Sequence, residues 1–205
     1  MKDKKETQRL RFSDYGIIDL IPFGGVESDD NVVRWPPHGD FVMRVAGFQE
    51  AYENAVQVLV NDKLMVRVVS PVGLLLLKLV AWGERHNIQP LKDAPDIAYI
   101  LHHGAALFGE TNLFEEHFEI VESAGYDLDL AAGHLLGLKM GAIASQATRK
   151  RVSELLDQEL NSGIESKLVR EVARSSVPAE KTRIYEFLSQ VRLDWQNRVA
   201  NGHSK

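Results

Sequence analysis

Tyr15-Gly16-Ile17-Ile18-Asp19-Leu20-Ile21-Pro22-Phe23-Gly24-Gly25 reads as a β-strand with one carboxylate inside an apolar run. Ile17, Ile18, Leu20 and Ile21 are apolar on both faces, as in a strand covered on both sides. Pro22 has no N–H for a ladder and Gly24-Gly25 supplies a turn, so the strand is expected to end there. A buried Asp19 needs a cation, a metal or several donors around it. The plainer alternative is a strand-end aspartate at the sheet rim, bonded to loop amides.

Upstream, Gln8, Leu10 and Phe12 alternate with polar residues, and Ser13-Asp14-Tyr15-Gly16 is a turn, which makes a hairpin with the Asp19 strand. Trp35-Pro36-Pro37 is a stiff segment whose indole is expected on the sheet. Phe41–Val45 reads as a strand and Gln49–Ala55 as a helical turn. Val56–Val60 and Leu64–Val69 pair around Asn61-Asp62-Lys63.

From Ser70 the pattern is helical. Ser70-Pro71 opens a helix that runs to about Arg85, and Asp93-Ala94-Pro95-Asp96 opens a second that reaches about His102. Further helices are expected near 113–124, 129–145, 148–161, 166–174 and 179–199. The fold class is therefore α+β. A small mixed or antiparallel sheet (7–69) packs on the Ser70–His102 helices, and a helical lobe follows. The expected domains are 1–105 and 106–205.

With 205 residues, 44% of them hydrophobic and 26% charged, the composition is that of an ordinary globular chain. The net charge of −5 supplies no global field for nucleic acid. Without cysteine, disulfides and thiolate metal sites are excluded. No apolar run reaches membrane-spanning length, and Met1-Lys2-Asp3-Lys4-Lys5 leads into no signal-peptide core, so a cytoplasmic location is expected.

Lys78, Trp82 and Arg85 fall at i, i+4 and i+7 and share a helix face. Lys78 either snorkels along its stem or meets a buried anion. Asp93 fits an N-cap and Asp96 an N3 acid. The same acids are suited to pinning Arg85, and Asp93 is expected to orient Arg85 and Lys92 without touching substrate. His102-His103, His117 and His134 lack metal-ligand spacing.

Together these segments resemble a known family. They are Ile18–Gly24, Val26-Glu27, Trp35-Pro36-Pro37, Met43, Gly47–Ala51, Ser70 with Leu74, Lys78–Trp82 with Arg85, and Lys92–Ile97. The chain is similar to bacterial nucleotidyltransferase-like proteins related to the abortive-infection (AbiE-type) toxins, within the polymerase-β-type superfamily. The resemblance implies transfer of a nucleoside monophosphate from an NTP to an acceptor it leaves open, RNA (tRNA), protein or a small molecule. It implies Mg2+ held by three carboxylates, with Asp19 matching the third of these and so a catalytic metal ligand. Lys78 matches the helical lysine near the triphosphate, a catalytic and nucleotide-binding role. Arg85 and Lys92 match the basic groups around the nucleotide, supported by Trp82, Asp93 and Asp96.

The Gly-Ser turn and Asp-x-Asp strand that precede the third carboxylate in the family have no counterpart before Asp19. Asp127-Leu128-Asp129, far downstream, opens a helix and reads as a cap. One carboxylate of three leaves three expectations. The chain is a shortened enzyme, a degenerate relative that binds a nucleotide or partner without turnover, or a structural protein, for instance in a toxin–antitoxin system. An unpaired apolar edge at the Asp19 sheet further implies that the chain forms a homodimer or covers that edge with its own segments, and the resemblance adds an antitoxin partner. Asp19 and Lys78 are expected to meet across the sheet–helix interface.

Overall fold

The computed structural model describes residues 8–11, 16–28, 31–35, 42–175 and 180–201, with the side chains of 193, 194 and 196–201 excepted. Residues 7 and 12–15, Pro36, Pro37, Phe41 and Ala179, on which sequence expectations fell, lie outside these. The chain is α+β, and its compact units divide after Gln49.

In the first unit, β1 (Arg9–Arg11) pairs antiparallel with β2 (Ile17–Asp19), and β3 (Val32–Arg34) with β4 (Val42–Arg44). Val33, Trp35 and Val45 are buried together, with Ile21, Phe23, Met43 and Phe48 around them. Trp35 thus anchors the unit's apolar cluster, as expected. The Asp19 strand differs from expectation: Ile17, Ile18 and Asp19 are all exposed. The apolar run suggested cover on two faces, but a two-stranded ribbon provides cover on neither. Among the described residues the β part consists of three two-stranded antiparallel ribbons.

The second unit begins within α1 (Phe48–Glu53) and continues into the hairpin of β5 (Val56–Asn61) and β6 (Leu64–Val68). Ser70 then caps α2 (Pro71–Arg85), accepting from the Gly73 amide at 3.2 Å, with Pro71 at the first helical position. Leu75, Leu76, Leu79, Val80 and Trp82 form its buried stripe. Next come α3 (Ala94–His102), α4 (Gly104–Phe108), α5 (Glu110–Glu116) and α6 (Phe118–Ser123), which break the helix expected at 113–124 at His117. The order closes with α7 (Leu128–Ile143), α8 (Gln146–Asn161), α9 (Lys167–Ala173) and α10 (Lys181–Asn201).

Helix α7 is central, packing on α2 to α6 and on α10. Its closest approach is to α10. Gly133, Gly137 and Gly141, one every four residues, lie under Phe187, Val191 and Trp195. A Cβ on Gly137 would stand 2.3 Å from the Val191 carbonyl oxygen, so only glycine lets the two backbones meet there. The Trp195 indole N–H closes the far end by donating to the Arg149 carbonyl at 2.9 Å. Since α2 and α3 also bury against α7, α8 and α9, they share one compact body with the later helices.

Candidate functional site

The candidate site forms where α2 ends and α3 begins. Between them Leu91 adopts a left-handed φ of 62°, a conformation that a bulky side chain disfavours, and the chain turns back toward α2. This brings Asp93 beside Arg85. The guanidinium grips both carboxylate oxygens, Nε to Oδ2 at 2.7 Å and Nη2 to Oδ1. Asp93 is 1% exposed and Arg85 31%, so the pair is half-sheltered from water. The Asp93 hydrogen bond holds the Arg85 pKa above its ordinary value, while burial acts the other way.

Lys78 completes the group, with Nζ 2.5 Å from Asp96 Oδ2 and 3.7 Å from Asp93 Oδ1. Asp93 occupies the N-cap position of α3, yet its side chain caps nothing, because Arg85 and Lys78 hold it. Lys92 turns elsewhere, donating to Gln89 Oε1 at 2.9 Å. Of the expected residues, Lys78, Arg85, Asp93 and Asp96 are therefore brought together; Lys92 is a neighbour that points to another partner.

Trp82 shares the α2 face but faces the core. Its Nε1–H donates to the buried Glu171 carboxylate of α9 at 2.8 Å, and its ring stacks on His86 at 4.1 Å. Lys167 donates to the His86 carbonyl and to Asn87 Oδ1, at 3.3 and 2.8 Å, and so fastens the end of α2 to α9. Glu171 lies 89 residues from Trp82 and Lys167 lies 81 from His86, and nothing local marks them.

Asp19 stands opposite Arg9 in the β1–β2 register, and Arg9 clasps both its oxygens, Nε–Oδ1 at 2.8 Å and Nη2–Oδ2 at 2.9 Å. The neutralising partner is thus a cross-strand arginine of the same ribbon. Lys78, the partner expected for it, is held by Asp96 and Asp93. A carboxylate closed on both oxygens by a guanidinium offers Mg2+ no ready ligand. Among the described residues, no three His, Asp or Glu side chains converge on a metal-sized site. Asp19, engaged in this way, does not by itself fit a two-metal centre.

Comparison with known families, curated proteins and solved structures found no match.

Three further carboxylates hold local structure. Glu27 accepts from the Gly24, Gly25 and Val26 amides at 3.2, 2.9 and 3.0 Å. Gly24 and Gly25 take positive φ to aim these amides, and the anion cradle so formed is filled by the chain's own side chain. Glu50 accepts from the Thr148 hydroxyl at 2.7 Å and the Ser145 amide at 3.3 Å. Burial pushes its pKa up, but these bonds prevail and hold it below the usual glutamate value.

Asp127 caps α7 through the Leu130 amide and takes the Arg183 guanidinium, so the Asp127-Leu128-Asp129 run is helix-start chemistry. Arg183 is the main reason that the Asp127 pKa lies below its ordinary value. A depressed carboxylate stabilises the fold above its unfolded pKa and loses that contribution as pH falls through its folded pKa. The melting temperature of Asp127→Asn is accordingly expected below that of the natural chain at pH 7. The two should converge as pH falls below about 4, as thermal denaturation across pH would show.

No helix among the described residues is long and apolar enough to cross a membrane.

Proposed function

We propose that this chain is a nucleotidyltransferase-like protein of the abortive-infection type that binds NTP phosphates without transferring the nucleotide. One observation carries the reading: Lys78 and Arg85, which match the family's basic groups, meet Asp93 and Asp96 at a single place. Lys78 keeps a quarter of its side chain in water, and its closest partner, Asp96, is 48% exposed. A triphosphate carries several negative charges against the one on Asp96, so it competes for the ammonium while Asp93 retains Arg85. Because that exchange replaces an existing ion pair, the affinity is weak and falls with salt. RNA, protein acceptors and an antitoxin-like partner belong to the same proposal through the resemblance alone.

The buried Asp93 favours a second reading, in which the cluster only fastens α2 to α3. A fluorescent NTP analogue titrated at low and high salt separates the two. Millimolar binding that weakens in salt and in Lys78→Met supports the first, and no binding leaves the fastening role alone. Labelled NTP with Mg2+ or Mn2+, total RNA and cell extract tests for transfer. Transfer that disappears in Asp19→Ala would overturn the non-catalytic assignment.

A further inference from the structure

We propose that the amides of Gly24, Gly25 and Val26 form a phosphate-binding loop that Glu27 occupies as an intramolecular plug. The ligand class is a phosphomonoester-type anion, either free phosphate or the terminal phosphoryl group of a nucleotide. The Gly24 N–H donates to Glu27 Oε1 at 3.2 Å, and the Gly25 and Val26 N–H groups donate to Oε2 at 2.9 and 3.0 Å. Gly24 and Gly25 hold φ of 82° and 110°, and two such residues in a row turn successive amides toward one point. The amide of Glu27 itself and then that of Gly25 are the leading reasons that its carboxyl lies below the usual glutamate value. The loop therefore already stabilises a negative charge.

The carboxylate fits this cradle incompletely. Two oxygens serve three donors, so Oε2 is shared, and the Gly24 bond is longer than the roughly 2.7–2.9 Å of a good charge-assisted pair. A phosphate offers three oxygens, one for each amide, and about −1.5 to −2 charges in place of one. The way in is open. Gly24, Gly25 and Val26 are exposed, and a Cβ built on Gly25 would meet nothing within 4 Å. Gln49 borders the cradle, its Oε1 2.9 Å from where a Cβ on Gly24 would stand. Glu27 lies between β2 and β3, so it leaves by turning its own side chain, with no strand or helix displaced. All of these residues belong to the first unit, and the site does not rest on the Lys78 cluster of the second.

Inorganic phosphate titrated to about 100 mM into the isotopically labelled full chain at constant ionic strength tests this by amide NMR. Glu27→Gln removes the charge and keeps an acceptor for the loop. In that variant the Gly24, Gly25 and Val26 resonances should shift, with half-saturation at least about tenfold lower than in the natural chain. Metal-free ATP titrated in parallel distinguishes the sources. Half-saturation well below that of phosphate assigns the site to a nucleotide's phosphoryl group, and a value equal to or above it assigns free phosphate. Adding Gly25→Ala should abolish the shifts, because a side chain is strained at that φ even where its Cβ has room. Should Glu27→Gln disturb the cluster around Trp35 by fluorescence, the natural chain decides: phosphate must still move these three amides, and Gly25→Ala must stop it. Amides that stay still in Glu27→Gln, equal half-saturation in the two chains, or shifts that survive Gly25→Ala would each overturn the proposal.

Discussion

Gly137→Ala is expected to lower stability by about 1–3 kcal/mol, the range of a forced overpacking. The added methyl would stand 2.3 Å from the Val191 oxygen and 2.9 Å from its carbonyl carbon. Both atoms are backbone, so no rotamer change relieves the contact and α7 and α10 must part. In a unit of this size the melting temperature should fall by roughly 2–12 °C. Gly141→Ala, on the same helix and against the same partner, is the control. Its methyl would meet Trp195 at 3.8 Å, an ordinary contact. Better helix propensity should then leave it neutral or up to about 1 kcal/mol more stable. Equal effects from the two substitutions, measured by thermal denaturation, would mean that the helices do not meet at Gly137.

The second large effect is expected at Arg85. Arg85→Met removes the bidentate partner of an aspartate that is 1% exposed and leaves only Lys78, at 3.7 Å. Breaking a buried pair costs about 3–5 kcal/mol, and the partial exposure of Arg85 reduces this to roughly 2–3. Lys78→Met should cost less than about 1 kcal/mol, because its nearest carboxylate, Asp96, is half in water. Had Lys78 neutralised a buried Asp19, the order would be reversed. Adding Asp93→Asn to Arg85→Met should recover much of the loss, and urea denaturation of the four-member cycle would read the coupling directly. A Lys78→Met loss as large as that of Arg85→Met would make Lys78 the principal partner of Asp93.

These expectations depend on features unequally visible in the sequence. The start of α2 was legible because Ser70-Pro71 is a cap joined to an apolar stripe, two local signals that agree. A link between Arg85 and Asp93 was legible because the two residues border one short loop. The exposure of Ile17 and Ile18 was not: an apolar run gives strand periodicity but cannot report how many strands lie beside it. The Trp82–Glu171 bond joins residues 89 apart and leaves no periodic trace. Lys92 and Asp93 are adjacent in sequence and take different partners, since neighbours in a turn do not share a direction. The glycines of α7 were a missed signal. Their spacing of four was in plain sight and marks a helix face built for close approach.

That glycine face also imposes an order in time. Helix α7 leaves the ribosome about fifty residues before α10, and during that interval the groove over Gly133, Gly137 and Gly141 has no occupant. The earlier helices can gather around α7, but the last wall of the core arrives only with Phe187, Val191 and Trp195. The second unit therefore completes its fold after nearly all of it has been synthesised. A translational pause before residue 181 would leave the glycine face of α7 without the helix that covers it.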